Sequence, residues 1–527
     1  MSTSTASSAS TPRPAAAEPG VVSPSRAAAA GIAATAAALG VSELIAGLLT
    51  GATSLVAAVG QALIDAQPAG AKDVAVALFG KNDKLAFELI IVAIALAIGA
   101  GLGLLARRSF AAATAVFVGF GVVGFVASLR DPLASPAMTG AGAAVAIGVG
   151  LWVLSWLIQG GATTDRHGMP DWSRRSFMIR AGSVTAAAIV AGYAGRTLLD
   201  RQRVAPDAGG VPIPPASDTV PPLAPDADLS TSIADLTPIV MPNDRFYRID
   251  TSLLTPSVDA ATWSLRIHGM VARETTLTYQ ELIGLPLFEQ YVTISCVSNE
   301  VGGDLVGNAK WTGVRLRDVL DLAGVQAGAT QLVGRSVDGW TAGMPTAWVM
   351  DPAREPMIAV KMNDVPLPPA HGYPARLIVP GLYGYVSATK WLAELELTTL
   401  EAFDGYWVPL GWAKEAPILT QSRIDTPAYG LTLPAGRVPI AGIAWAPDRG
   451  VTRVEVGIDD TWYDAQLSRP ISDATWVQWV AYWEATPGDH VIEVRATDGD
   501  GVVQTDQRTP PAPDGARGWD TIQVHIS

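Results

Sequence analysis

Four long apolar stretches crowd the first third of the chain, near residues 27–49, 86–106, 109–129 and 137–158, and a weaker, Ala/Gly-rich fifth lies near 177–196. Each is about the twenty residues needed to cross a hydrocarbon core. The pattern therefore predicts a membrane α-helical half of about five spans over residues 26–200. The stretch from Ala52 to Ile64 is shorter and reads as an interfacial or re-entrant helix; were it to span, the topology would change. Residues 1–25, rich in Ser, Ala, Pro and Thr, read as a disordered tail. Residues 201–236, rich in Pro, Asp and Ala, read as an extended linker. From 237 the periodicity changes. Strand-like runs (W-S-L-R-I-H-G-M, Q-L-V-G-R-S-V) mix with helical ones (Y-Q-E-L-I-G-L, V-R-L-R-D-V-L-D-L-A), which predicts an α+β domain over 237–420. From 421 to 527 short alternating runs recur: V-P-I-A-G-I-A-W, T-R-V-E-V-G-I, V-Q-W-V-A-Y-W, H-V-I-E-V-R-A-T and T-I-Q-V-H-I-S. Turn residues separate them, and the spacing predicts an immunoglobulin-like β-sandwich.

Arginine placement orients the spans. Arg13 and Arg26 precede the first, Arg107 and Arg108 follow the second, and Arg166, Arg174, Arg175 and Arg180 surround the start of the fifth. All become cytoplasmic with the N-terminus inside and five spans. Everything after about residue 200 then faces outward, in a multi-pass protein of the cell membrane. The run S-R-R-S-F-M-I-R at 173–180 is similar to a twin-arginine export signal, here internal and uncleaved; plain flanking charge is the alternative. Glu43 and Glu88 lie near span ends, where proton or quinone chemistry competes with simple pairing.

Composition narrows the function. Hydrophobic residues make up 49% and charged residues 16%, and the net charge is -13 with no dense basic run, which argues against nucleic-acid binding. The five histidines all lie outside the spans, so the membrane half offers no histidine pair for haem b. With one cysteine, Cys296, the chain cannot attach haem c through two thiols, nor build a cysteine-ligated iron–sulfur cluster; no haem is expected. A single thiolate in a Gly-rich setting can ligate a metal. Alone, it is more simply a buried small hydrophobe.

The blocks around the cysteine change that balance. They run N-D-R-F-Y-R (243–248), S-C-V-S-N (295–299), G-N-A-K-W-T-G-V-R-L (307–316), M-N-D-V-P-L-P-P-A-H-G-Y-P-A-R-L-I-V-P-G (362–381), A-T-K-W-L (388–392), and then A-W-A-P-D-R-G-V-T-R-V-E-V and W-V-Q-W in the sandwich. In this order they resemble the sulfite oxidase family of molybdenum enzymes, over roughly residues 240–527. The resemblance implies a molybdenum–molybdopterin cofactor, held by one pyranopterin dithiolene and one protein thiolate, with Cys296 at the thiolate position. It implies cofactor contacts at His371, Arg376 and Lys390, whose charge suits the pterin phosphate, and at Ser336 or Asp338, Ala388 and Thr389. The chain has one residue more than expected between Arg376 and Lys390, which leaves the register at 387–389 open. Asn243, Phe246 and Tyr247 match the segment that lines the pterin in the methionine-sulfoxide-reductase branch. Tyr406 falls at the oxidases' active-site tyrosine, and Arg449 and Arg453 fit their R-x-x-x-R pattern. Ordinary core or turn duty is the alternative for each.

The resemblance fails at the substrate. Sulfite-oxidising relatives follow the cysteine with Asn-Arg-Arg; here Glu300 stands in place of an arginine and would repel sulfite. Arg248 lies one residue out of register with the oxidases' front arginine. The expectation is a membrane-anchored, extracytoplasmic oxidoreductase that carries out two-electron oxygen-atom transfer on a small-molecule substrate and exchanges electrons with a cytochrome or quinone. A homodimer through the sandwich is implied by the family. The rival readings are a reductase of protein methionine sulfoxide or other S- or N-oxides, and a metal-free, membrane-tethered binding module.

Overall fold

A computed structural model describes residues 22–68, 78–79, 83–162, 174–203 and 211–527. The tail before residue 22, with Arg13, lies outside these residues. So do Arg166, His167, Ser173 and the linker's 204–210. The chain divides into two compact units. One holds residues up to Arg201 apart from 66–75, and the other runs from Gln202 to Ser527.

The first unit is helical: α1 (Pro24–Leu48), α2 (Leu55–Asp65), α3 (Asp83–Ala106), α4 (Phe110–Ser128), α5 (Pro136–Ala162) and α6 (Arg174–Arg203). All but α2 are long and apolar enough to cross a membrane. The start signals are local. Pro24 enters α1 where its missing N–H costs nothing, and the Ser109 hydroxyl caps α4 by accepting from Ala112 N–H at 3.2 Å. Packing relies on missing side chains. A Cβ on Gly31 of α1 would collide with the Gly99 carbonyl of α3, and one on Gly40 with the Ala188 carbonyl of α6. Small residues thus let the backbones touch, the usual device where lipid gives helices no hydrophobic drive to associate. The near-span acids are both engaged. Glu43 accepts from Ser54 Oγ at 2.5 Å, and Glu88 of α3 pairs with Arg196 of α6 at 2.8 Å. Outward faces stay apolar, as at Leu89, Val123 and Ile189.

The second unit begins with a strap where the sequence predicts an extended linker. Ser217 N–H donates to Leu287 O at 2.9 Å, Glu289 N–H donates to Asp218 O at 2.9 Å, and Asp218 bridges Phe288 in parallel fashion. The Asp218 carboxylate is also held by Arg315 at 2.7 Å. The prolines block regular pairing but leave these few bonds, and the strap covers a strand edge that would otherwise be open.

Two sheets follow, the first mixed and the second antiparallel. One has the order β2 (Thr275–Thr278), β1 (Ser264–Gly269), β10 (Leu392–Thr398), β5 (Gln331–Ser336), β6 (Thr341–Pro345), with β1 parallel to β10. The other runs β3 (Leu287–Ser295), β4 (Val306–Arg315), β7 (Met357–Met362), β8 (Val365–Pro366), with β9 (Arg376–Ile378) also on β7. Short helices α7 (Tyr279–Ile283) and α8 (Leu316–Ala323) fill between them. α7 carries a full capping box, Thr278 with Glu281. The helical run expected at 314–323 is shorter than its pattern: Val314 and Arg315 finish β4. Eight of the ten β4 residues are buried, as in a strand covered on both faces.

Residues from Gln421 on form two more sheets. Their orders are β11 (Gln421–Thr426), β13 (Gly436–Trp445), β17 (Val477–Ala485), β16 (Gln466–Leu467), and β12 (Thr432–Leu433), β19 (Asp520–Ile526), β18 (Gly488–Asp498), β14 (Val451–Ile458), β15 (Thr461–Asp464). The alternating burial of β18 and β19 places one face of each strand against a shared core. This pair of sheets is not an independent lobe. Trp445 and Trp476 are buried in the core of the preceding α+β portion, and Trp476 donates its ring N–H to Ile239 O at 2.9 Å.

Candidate functional site

β3 delivers Cys296 at its C-terminal end. The thiol is buried, and the loop that follows folds back on itself. Cys296 N–H donates to Leu305 O at 2.9 Å, and Asn299 N–H donates to Cys296 O at 3.1 Å. The Asn299 side chain accepts from Leu305 N–H at 2.8 Å. The C-terminal sheets pin the same loop: Arg423 donates to Gly303 O at 2.9 Å, and Gly302, at φ +77°, packs against Asp520 with no room for a Cβ. Glu300 is exposed on this loop. The Ser298 hydroxyl lies 3.0 Å from the Cys296 sulfur.

The segment around 243–250 lies across the cysteine. Asn243 donates to Met362 O at 3.2 Å and accepts from Asn363 at 2.7 Å, while its own carbonyl meets His371 Nε2 at 2.9 Å. Phe246 stacks with Tyr247 and sits edge-on to both His371 and Trp311. Burial pushes the Tyr247 phenol well above its ordinary range; the Cys296 sulfur adds to this and Arg376 opposes it. Tyr247 therefore senses both the cysteine and the cationic cluster.

That cluster is built by the block at 369–392. His371 is 4% exposed. Burial, helped by the neighbouring Lys390, lowers its pKa to about 4, so it is neutral at pH 7. Arg376, also 4% exposed, starts β9 and donates to the carbonyls of His371 (3.1 Å) and Ala388 (3.5 Å). Its guanidinium lies 5.2 Å from the Trp311 ring centroid. Burial lowers its pKa to about 10. Lys390 bonds Asp250 at 3.2 Å and Ala370 O at 3.1 Å; burial lowers its pKa to about 8, against the pull of Asp250. Gly372, at φ +110°, lets the backbone bring Lys390 close: a Cβ there would lie 3.0 Å from the Lys390 Cα.

Three buried polar atoms in this cluster have no hydrogen-bond partner among the described residues: His371 Nδ1, Arg376 Nε and Thr389 Oγ1. Buried donors and acceptors are almost always paired, so such a concentration marks a place built for a polar ligand. The ligand's charge follows. Arg376 is buried among carbonyls, and Asp250, the carboxylate beside Lys390, is shared with Arg248 at 3.0 Å. An anion with several acceptor oxygens would satisfy this set, as a phosphate does. Ser336 is buried at the end of β5, and its hydroxyl accepts from Asp338 N–H at 3.4 Å. Burial raises the Asp338 carboxyl above its ordinary range. A cysteine sulfur beside an anion cradle lined by Phe246 and Tyr247 is the donor set a metal–pterin cofactor needs.

The remaining sequence candidates are Tyr406, Arg449 and Arg453. Tyr406 donates its backbone N–H to Thr341 O at 3.1 Å and packs edge-on to Trp407. Arg449 is held by Asp498 at 3.0 Å and by Ile418 O at 3.0 Å. Arg453 is half exposed on β14 and engaged by Asp464 and Glu455 at 2.6 and 3.1 Å. The R-x-x-x-R spacing hides this difference, because the two arginines leave by different elements: Arg449 precedes β14, and Arg453 lies within it. Sequence reasoning missed Asn299, Trp311 and Asp250, each of which contacts a predicted residue. Asn299 lay inside the S-C-V-S-N block and Trp311 inside the G-N-A-K-W block; Asp250 carried no local signal.

Residues 252–407 match the oxidoreductase molybdopterin binding domain family. The chain is similar to mitochondrial sulfite oxidase of Homo sapiens, with 30% identity over 343 residues, covering 55% of this chain and 62% of that one. It is similar to nitrate reductase [NADH] 1 of Oryza sativa subsp. japonica, with 29% identity, covering 41% of this chain and 30% of that one. The chain thus spans less than two thirds of these relatives. Among solved structures it resembles the sulfane dehydrogenase SoxCD from Paracoccus pantotrophus, with a TM-score of 0.48 and 22% identity, over 55% of this chain and 85% of that one. Residues 252–407 thus form a molybdopterin-binding oxidoreductase domain, homologous to sulfite oxidase and nitrate reductase.

Proposed function

We propose that the chain is a membrane-anchored molybdenum oxidoreductase whose catalytic part, residues 237–420, faces away from the cytoplasm. The observation that carries the cofactor assignment is the buried cluster of His371, Arg376 and Thr389, each with an unpartnered polar atom, beside Lys390. In this reading Cys296 supplies the thiolate to molybdenum. Arg376, Lys390 and Thr389, with the backbone at Ala388, hold the pterin phosphate, and His371 and Ser336 or Asp338 hold the pterin. Asn243, Phe246 and Tyr247 wall the site. The bound group supplies two-electron oxygen-atom transfer. The protein's share is to fix that group, to exclude water with the Phe246–Tyr247 wall, and to keep His371 neutral as a hydrogen-bonding group rather than a second charge. Tyr406 serves as a proton or hydrogen-bond donor toward substrate.

The five apolar helices support the anchor, and the arginine bias supports an N-in, C-out arrangement. The twin-arginine-like run at 173–180 fits export of a folded, cofactor-loaded domain. The sandwich at 421–527 is read as immunoglobulin-like and as the surface for a homodimer. Electrons pass to or from an external cytochrome or quinone.

A specific observation favours a neutral or cationic substrate over sulfite. Glu300 is exposed on the cysteine loop, and Arg449 and Arg453 are both spent on carboxylates. A dianion would meet repulsion and no free guanidinium from this pair. The test is a turnover screen of purified protein. Sulfite is offered with an artificial electron acceptor; methionine sulfoxide, other sulfoxides and N-oxides are offered with a reduced dye. Turnover of an S- or N-oxide supports the reading. Turnover of sulfite alone overturns the substrate preference, and no turnover by molybdenum-loaded protein overturns the proposed activity.

A further inference from the structure

We propose that Ser298 is a positioning residue for the Cys296 sulfur: its hydroxyl donates a hydrogen bond that draws charge from the thiolate and raises the reduction potential of the metal bound there. The proposal rests on reading Cys296 as the molybdenum ligand.

Ser298 Oγ lies 3.0 Å from Cys296 Sγ. A thiolate has no proton to give, so in the metal-bound state the hydroxyl is the donor. No other side-chain hydrogen bond of this hydroxyl occurs among the described residues. The contact is also held from outside. The turn is closed at Cys296 by Asn299 N–H and Leu305 O, stapled by the Asn299 side chain, and anchored through Gly303 by Arg423. The backbone that carries Ser298 is therefore held in place beside the sulfur.

The consequence follows from sulfur's role as an electron donor. A lone pair engaged in a hydrogen bond donates less to the metal, and the more oxidised metal depends most on that donation. Hydrogen bonds to ligating sulfur consequently move the potential upward. Such a bond also fixes the rotamer of Cys296 and so the direction from which the sulfur approaches.

The test uses full-length, detergent-purified wild type, Ser298→Ala and Ser298→Thr. Molybdenum content is measured on each, and the metal is titrated against potential with its paramagnetic resonance as readout. The proposal expects equal metal in all three, a downward shift of potential with an altered signal in Ser298→Ala, and recovery toward wild type in Ser298→Thr, which keeps the hydroxyl. Full metal with an unmoved potential in Ser298→Ala overturns the proposal while leaving the ligand reading intact. Metal lost from Ser298→Ala alone also overturns it, because Ser298 then acts in retention. A wild type without molybdenum overturns the ligand reading, and the proposal with it.

Discussion

Arg376 carries a guanidinium into the core, where carbonyls and an aromatic ring meet it and one of its N–H groups meets no acceptor among the described residues. A buried cation without a carboxylate works against folding unless a ligand completes it. Arg376→Met is therefore expected to separate binding from stability. Cofactor content should fall to a small fraction of wild type, while the cofactor-free protein stays within about 1 kcal/mol of wild type or above it. Thermal melting of cofactor-free samples, alongside metal analysis, checks this; a large loss of stability in Arg376→Met would show that the guanidinium serves the fold. His371 makes a second prediction. Its folded pKa of about 4 lies below the unfolded value near 6.5. Between these the unfolded chain binds the extra proton and the folded one does not, so stability falls as pH drops from about 6.5 to 4. The cofactor-free wild type should lose melting temperature across that window, and His371→Asn should lose less. Parallel pH slopes for the two proteins would contradict it. Cys296, His371 and Arg376 were legible in the sequence because they sit in ordered blocks with fixed spacing. The meeting of Lys390 with Asp250, 140 positions apart, was not legible, because nothing local to either residue announces the other.

At the scale of elements, periodicity was a good guide to where the elements lie. The strands β13, β14, β17, β18 and β19 fall on the alternating runs, and the five long helices fall on the apolar stretches. Composition did not show the docking of the Pro-rich stretch after residue 211, which lies along β3 through Ser217 and Asp218. The bonds use backbone groups, which composition does not report. The same strand ends one residue before Cys296, so the strap and the C-terminal sheets brace opposite parts of one structural path to the thiol. Gly302 tests the second brace. Its positive φ disfavours any side chain, and a Cβ would strike the Asp520 carboxylate. Gly302→Ala should displace the cysteine loop, lowering metal content and destabilising the fold by roughly 1–3 kcal/mol. The check is melting temperature together with bound molybdenum; a variant with both at wild-type level would show that the loop does not depend on this contact.

At the scale of the whole molecule, two chemistries share one chain. The helical unit is held by glycine-mediated contact and a few paired polar groups such as Glu88 with Arg196. The second unit has a large apolar core through which its C-terminal sheets reach the α+β portion at Trp445 and Trp476. Residues 421–527 read as a separate domain from their pattern alone; the shared tryptophans tie them to the α+β core, because a bulky ring at a strand's end can cross a boundary that periodicity draws cleanly.

The central claim is that this site holds molybdenum through Cys296. The most direct measurement is molybdenum by elemental mass spectrometry on detergent-purified wild type and Cys296→Ala, produced in a host with intact cofactor synthesis and export. The account predicts about one molybdenum per wild-type chain, and a metal that is lost, or present but inactive, in Cys296→Ala. Wild-type protein without molybdenum would contradict it and leave a membrane-tethered binding module as the better description.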